Sequence, residues 1–304
     1  MTVWTVVPAE DFWHQLFSFQ NYGELLGLVH NSLIAGAALG LVGGLVGVFV
    51  MNRDMAFAVH GVSEISFAGG AAALLASVNV SLGAIIGSLV AAVIIGAMGS
   101  RARERNSITG VLMPFALGLG VLFLALYKGR SANKFGLLTG QIVAVDNPQL
   151  AWLLGTSAVV VIGMAVIWRP LMFSSVDPEV AAARGVPAGP LSLVFMVLLA
   201  LAVAMAVQVV GALLVLALLV TPAAAAVRVT ASPLWVPVLS VVFAVVSAVG
   251  GILLALGGSI PISPYVTTIS FLIYLGCRVI GARRGRSGWA RRIDAPRDDI
   301  SVEV

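Results

Sequence analysis

His60 and Glu64 stand four residues apart in the stretch Val59-His60-Gly61-Val62-Ser63-Glu64, where every neighbour is apolar or small. Positions i and i+4 share one face of a helix, so imidazole and carboxylate can converge on one small cation. A nitrogen and an oxygen ligand suit first-row divalent metals such as zinc, manganese or iron better than the all-oxygen cages of calcium and magnesium. Two ligands fall short of the four that a closed zinc site takes. Two copies of the chain meeting on a two-fold axis would supply two histidines and two glutamates. A transport site is also weaker and more open than a structural one, because the ion must leave, and its ligands must be deprotonated, so acid competes with metal at His60. The plainer alternative is that the two side chains bond each other or a backbone carbonyl.

Other chemistries lack their motifs. A P-loop needs G-x-x-x-x-G-K-[ST], and the only two lysines, Lys128 and Lys134, follow Tyr127 and Asn133; the chain cannot be its own P-loop ATPase. His60 is followed by Gly61, and His14 and His30 are far away, so the H-E-x-x-H helix of zinc proteases is missing. Ser63 and Ser66 sit in no G-x-S-x-G elbow. Cys277 is the one cysteine, which excludes an intramolecular disulfide or a thiolate cluster from this chain alone and reads as a small buried hydrophobe.

The elements that must position His60 and Glu64 are membrane helices. Of 304 residues, 60% are hydrophobic and 10% charged, against about 25% charged in a soluble domain. Apolar runs near the length needed to cross a bilayer predict nine spans, at about 28–50, 57–78, 80–100, 108–127, 149–168, 191–208, 210–228, 237–256 and 265–281. His60 and Glu64 fall in the second, where a carboxylate costs roughly 2.5–3.5 kcal/mol even on lenient insertion scales, so it reads as functional by default. Small residues such as Gly40, Gly43, Gly44 and Gly47 in the first span, and Gly83 and Gly87 in the third, let backbones approach closely.

Residues 1–27 lack a basic n-region and carry Glu10 and Asp11 beside Trp4, Phe12, Trp13 and Phe17. They read as an extracytoplasmic interfacial segment and not as a cleaved signal peptide. Residues 282–304 form an Arg-rich tail that includes Arg283, Arg284, Arg286, Arg291, Arg292 and Arg297. After an apolar span such a run is the positive-inside signal, with affinity for anionic lipid, and not a nucleic-acid site. Nine spans then place the N-terminus outside and the C-terminus inside, with Arg53, Arg101, Arg103, Arg105 and Arg228 on the inner side. Lys128, Arg130 and Lys134 fall outside, against the rule, unless part of 135–148 re-enters the membrane, for which Gly136, Gly140 and Pro148 are suited.

Segment 174–189 differs in character. Asp177-Pro178 is a helix start, Glu179 lies in the first turn, an alanine run follows, and Gly185 is a stop. This predicts a short capped helix between two spans, either a solvated connector or a docking helix for a partner protein.

The pattern Asp177-x-Glu179-x-Ala181-x-x-x-Gly185, followed by the run from Val210-Gly211-Ala212 to Thr221-Pro222-Ala223-Ala224-Ala225-Ala226, resembles the permease family of bacterial ABC importers for zinc, manganese or iron. The resemblance covers roughly residues 28–281. It implies an all-α polytopic pore made of two permease copies. It further implies a separate cytoplasmic ATPase docked on the segment around Asp177, Glu179, Ala181 and Gly185, and an extracytoplasmic binding protein that delivers the metal. No cofactor is held permanently; the zinc or manganese ion is cargo. The family's second span usually carries Gly-Asp-Ala-x-Ser-His, whose aspartate and histidine contact the metal. Here His60 stands where the acid is expected and Glu64 where the histidine is, so the chemical pair is kept in reversed order. Two other classes compete: a proton-coupled secondary cation carrier using Glu64, and a permease for an organic metal chelate, which calls for a wide cavity poor in ligands.

Overall fold

A computed structural model describes residues 26, 29–98, 102–129, 136, 137, 145–256 and 262–293. Among them every regular element is helical: α1 His30–Asn52, α2 Ala56–Leu75, α3 Val80–Met98, α4 Ala102–Leu126, α5 Asn147–Val176, α6 Pro178–Ala183, α7 Ala188–Val210, a 3-10 turn Ala212–Leu214, α8 Val215–Leu219, α9 Thr221–Val229, α10 Trp235–Ala255 and α11 Ile262–Ile293. The fold is therefore all-α, as the apolar runs require. All but residue 26 of the interfacial segment expected at 1–27, most of the re-entry expected within 135–148, and the end of the tail from residue 294 lie outside the described residues.

Eight of these helices are long and apolar enough to cross a membrane. The seventh expected span, 210–228, is instead interrupted. Gly211 takes φ +88, a conformation open to glycine, and a second break falls at Val220. There Pro222 has no N–H to return to the carbonyl four residues earlier. The segment still traverses the bundle. Ser263 Oγ donates to the Val210 carbonyl at 3.2 Å and Ser270 Oγ to the Ala217 carbonyl at 2.8 Å, each across 53 residues of sequence. Gly281 lies against the backbone of Arg228, which keeps the same offset. Residues 210–228 thus run parallel to α11 at matching depth, making a ninth traverse that is not one helix. The fifth and last spans are longer than expected, since α5 continues through Pro170 to Val176 and α11 continues past residue 281.

Glycine sets the closest approaches. Gly40 and Gly44 of α1 face the backbone of α10 at Val245 and Val241, an antiparallel register that Ser240 locks by donating to the Gly44 carbonyl at 2.8 Å. Gly43 and Gly47 face the carbonyls of Leu218 and Leu219, so the interrupted segment is seated where α1 has no side chains. Gly69 of α2 meets Gly83 and Gly87 of α3, and Ser66 donates to the Ala84 carbonyl at 2.9 Å.

Three turns share one device. After α1, Asp54 takes φ 51 while the N–H of Met55 bonds to the Val50 carbonyl and that of Asp54 to Met51. Ser77 after α2 (φ 57) and Gly185 after α6 (φ 80) repeat this pair of bonds. This is the Schellman stop, and it makes each reversal a stiff hinge.

Candidate metal site

The second and third turns of α2 carry the pair. Glu64 is nearly sealed, with 4% of its side chain exposed, whereas His60 keeps 28% and so retains a way in. His60 Nε2 lies 3.9 Å from Glu64 Oε1, too far for a hydrogen bond. Glu64 Oε2 and His60 Nδ1 are buried with no hydrogen-bond partner. The two side chains thus meet only at the outer edge of ion-pair distance, and each keeps one buried polar atom with no partner. With metal bonds of about 2.1 Å, two ligands at a tetrahedral centre stand roughly 3.4 Å apart, so closing on an ion asks for a shift of only about half an ångström.

The register of the site is set by Gly61. A Cβ there would come within 2.5 Å of the Thr109 methyl of α4, and Thr109 Oγ1 donates to the Arg105 carbonyl at 2.8 Å. Ser63 Oγ donates to the His60 carbonyl at 2.7 Å and does not compete for its imidazole. Sequence reading did not single out Thr109; the available signal was Gly61, the one residue between the ligands that admits a close neighbour. Among the described residues no group of three His, Cys, Asp or Glu side chains converges. One chain brings together two candidate ligands, His60 and Glu64. Asp146 is committed elsewhere, accepting from the Gln149 N–H at 2.8 Å as the N-cap of α5.

The predicted short helix is α6. Asp177 accepts from the Val180 N–H at 3.0 Å and Pro178 opens the first turn. Ala181 is fully buried against the bundle, while Glu179 and residues 182–185 are exposed. These residues form a rigid knob at the end of the bundle where Arg53 and Arg105 also lie. Arg53 reaches Ser174 and Ser192, and Arg105 donates to the Arg53 carbonyl at 3.0 Å. Burial, and then the neighbouring Arg105 charge, hold the Arg53 guanidinium below the usual arginine range. In the sequence Arg53 stands out only as a topology signal. The serines it touches lie 121 and 139 residues away, beyond the reach of any local pattern.

Among the described residues, eight long apolar helices and an interrupted ninth segment, a buried His/Glu couple inside one of them and an exposed capped knob at one end mark a multi-pass membrane protein of the transporter class. The model of the ABC 3 transport family matches residues 26–280, and the chain belongs to that family. It is 30% identical over 242 residues to the manganese transport system membrane protein MntC of Halalkalibacterium halodurans, covering 79% of this chain and 80% of that one. To the high-affinity zinc uptake system membrane protein ZnuB of Haemophilus influenzae it is 25% identical over 250 residues, 82% and 95% of the two chains. Among solved structures it resembles PsaBC from Streptococcus pneumoniae in complex with Fab, with a TM-score of 0.75, 26% identity, and coverage of 84% of this chain and 94% of that one.

Proposed function

We propose that this chain is the permease subunit of an ABC importer that carries manganese or zinc across the bacterial cytoplasmic membrane. His60 and Glu64 contact the ion in transit. The observation that carries this is their geometry: two ligand side chains 3.9 Å apart on one helix face, each with a buried polar atom that nothing in the protein satisfies. An unpaired carboxyl group at this depth is costly, and a passing divalent cation offsets the cost only while it is bound. Such a site releases as readily as it captures.

Relatives named for manganese and for zinc support the class of cargo. Nitrogen and oxygen ligands accept both ions, so the choice between them falls to geometry and supply. A second copy of the chain completes the ligand set. The partial exposure of His60, together with the exposed apolar Val111 and Phe115 on α4, supports that arrangement. Hydrolysis belongs to a separate ATPase that docks on 174–189 through Asp177, Glu179, Ala181 and Gly185, because the chain has no P-loop. An extracytoplasmic metal-binding protein loads the other end. Arg53, Arg105 and Arg228, with the stretch of α11 around Gly281 that meets Arg228, share the side of α6, which supports an inner C-terminus and an outer N-terminus.

With alanine at both His60 and Glu64, metal uptake into vesicles by the complex reconstituted with its ATPase falls to background, and metal no longer stimulates ATP hydrolysis. Uptake unchanged by the pair of substitutions contradicts the assignment. Concentrative uptake by the purified chain alone, under a pH gradient and without an ATPase, contradicts the importer class.

A further inference from the structure

Arg53 occupies the three-residue turn between α1 and α2, and its side chain leaves that turn to reach the opposite side of the bundle end. Nη2 donates to Ser174 Oγ and Nη1 to Ser192 Oγ, both at 3.5 Å. Ser174 is in the last turn of α5, three residues before the Asp177 cap, and Ser192 is near the start of α7. One guanidinium therefore spans both arms of the hairpin whose tip is α6. The stem of this contact is fixed. Ser174 passes its own proton to the Leu171 carbonyl at 3.1 Å, and the Arg53 guanidinium carbon lies 5.9 Å from the ring centre of Phe195. Phe195 belongs to a fully buried aromatic group with Phe49, whose ring meets Trp168 edge-on at 4.8 Å.

The other end of Arg53 is equally well held. Its carbonyl accepts from Arg105 Nη2 at 3.0 Å, and the next carbonyl, that of Asp54, from the same nitrogen at 3.5 Å. The turn itself is a Schellman stop with Asp54 at φ 51, so a pull on Arg53 moves the start of α2 as a unit. His60 follows on the second turn of that helix. Arg105 and Thr109 lie one turn apart on α4, and Thr109 packs on Gly61 between the two ligands. Displacement of the hairpin thus has a short covalent and packed route to both walls of the metal site.

We infer that Arg53 is the positioning residue that couples the α6 hairpin to the metal helix α2, a role that rests on the importer reading above. The chemistry of the contact suits a link remade in every cycle. Among the described residues Arg53 pairs with no carboxylate; its acceptors are two neutral hydroxyls at long distance. These release a guanidinium far more easily than a bidentate carboxylate does. The fork geometry also makes arginine specific here, since a lysine ammonium reaches one hydroxyl as a point charge but does not bridge two.

The test compares Arg53→Ala, Arg53→Lys and the double variant Ser174→Ala/Ser192→Ala in the assembled complex in vesicles. The readouts are manganese or zinc taken up per ATP hydrolysed, basal ATP hydrolysis, and the amount of ATPase that co-purifies. The expected result is ATPase retained and basal hydrolysis intact, with the uptake-to-hydrolysis ratio reduced roughly tenfold in Arg53→Ala, a size typical of coupled sites. Arg53→Lys and the serine double variant fall between it and the unsubstituted complex. The serine variant removes only two hydroxyls, so it decides the matter if Arg53→Ala does not fold. A normal ratio in the serine variant overturns the assignment whatever Arg53→Ala does. An unsubstituted complex that takes up no metal overturns the importer reading and the assignment with it.

Discussion

Helix α2 and the interrupted segment 211–229 both depart from a plain membrane helix, and they do so in opposite ways. In α2 the backbone runs unbroken over 20 residues, and the polar burden sits on two side chains, His60 and Glu64. In the interrupted segment every side chain from Ala212 to Val220 is apolar, and the burden sits on backbone carbonyls freed or tilted by Gly211 and Pro222. The difference lies in how the burden is relieved. Gly43 and Gly47 of α1 give the Leu218 and Leu219 carbonyls room, and Ser263 and Ser270 of α11 donate to Val210 and Ala217. Among the described residues no group serves Glu64 Oε2 or His60 Nδ1 of α2 in this way. Polar groups that a membrane protein satisfies internally are architecture; those it leaves unsatisfied at the same depth are available to cargo.

This contrast can be broken by substitution. The largest effect is expected at Gly47, where any Cβ runs into the Leu219 carbonyl. Gly47→Val should destabilise the permease by about 3 kcal/mol, the upper end for overpacking, measured by reversible denaturation in mixed micelles. A neutral result would mean that the segment is not seated on α1. Ser270→Ala removes a single hydroxyl bond to the interrupted segment and should cost about 0.6 kcal/mol, the usual size for such bonds between membrane helices. The smallest effect belongs to the other side of the comparison. Without metal, Glu64→Ala should leave stability nearly unchanged or raise it, because it removes a buried carboxyl group that makes no internal hydrogen bond; a clear loss in the same assay would mean that Glu64 is structural.

The sequence displayed these regions unequally. Long apolar runs announced the continuous helices, and Asp177-Pro178 with Gly185 announced α6, because caps are local chemistry. The break at Val220 was not legible, since a proline after a long apolar run fits a helix end or kink as well as an interruption. His60 and Glu64 were visible as charge out of place and by their spacing. Their lack of partners was not, because it depends on what α3, α4 and α7 present to them. Arg53 was hidden for the same reason: a positive charge at a helix end satisfies the topology rule by itself, and its hydroxyl acceptors come from helices far along the chain.

We propose above that the buried pair in α2 is the ion's contact in the pathway. Equilibrium binding of manganese or zinc to the purified complex, with and without the His60→Ala/Glu64→Ala pair, tests it most directly. The expected result is one ion bound per two permease chains, lost in the double variant while the protein stays folded and assembled. An undiminished isotherm in the double variant would contradict it.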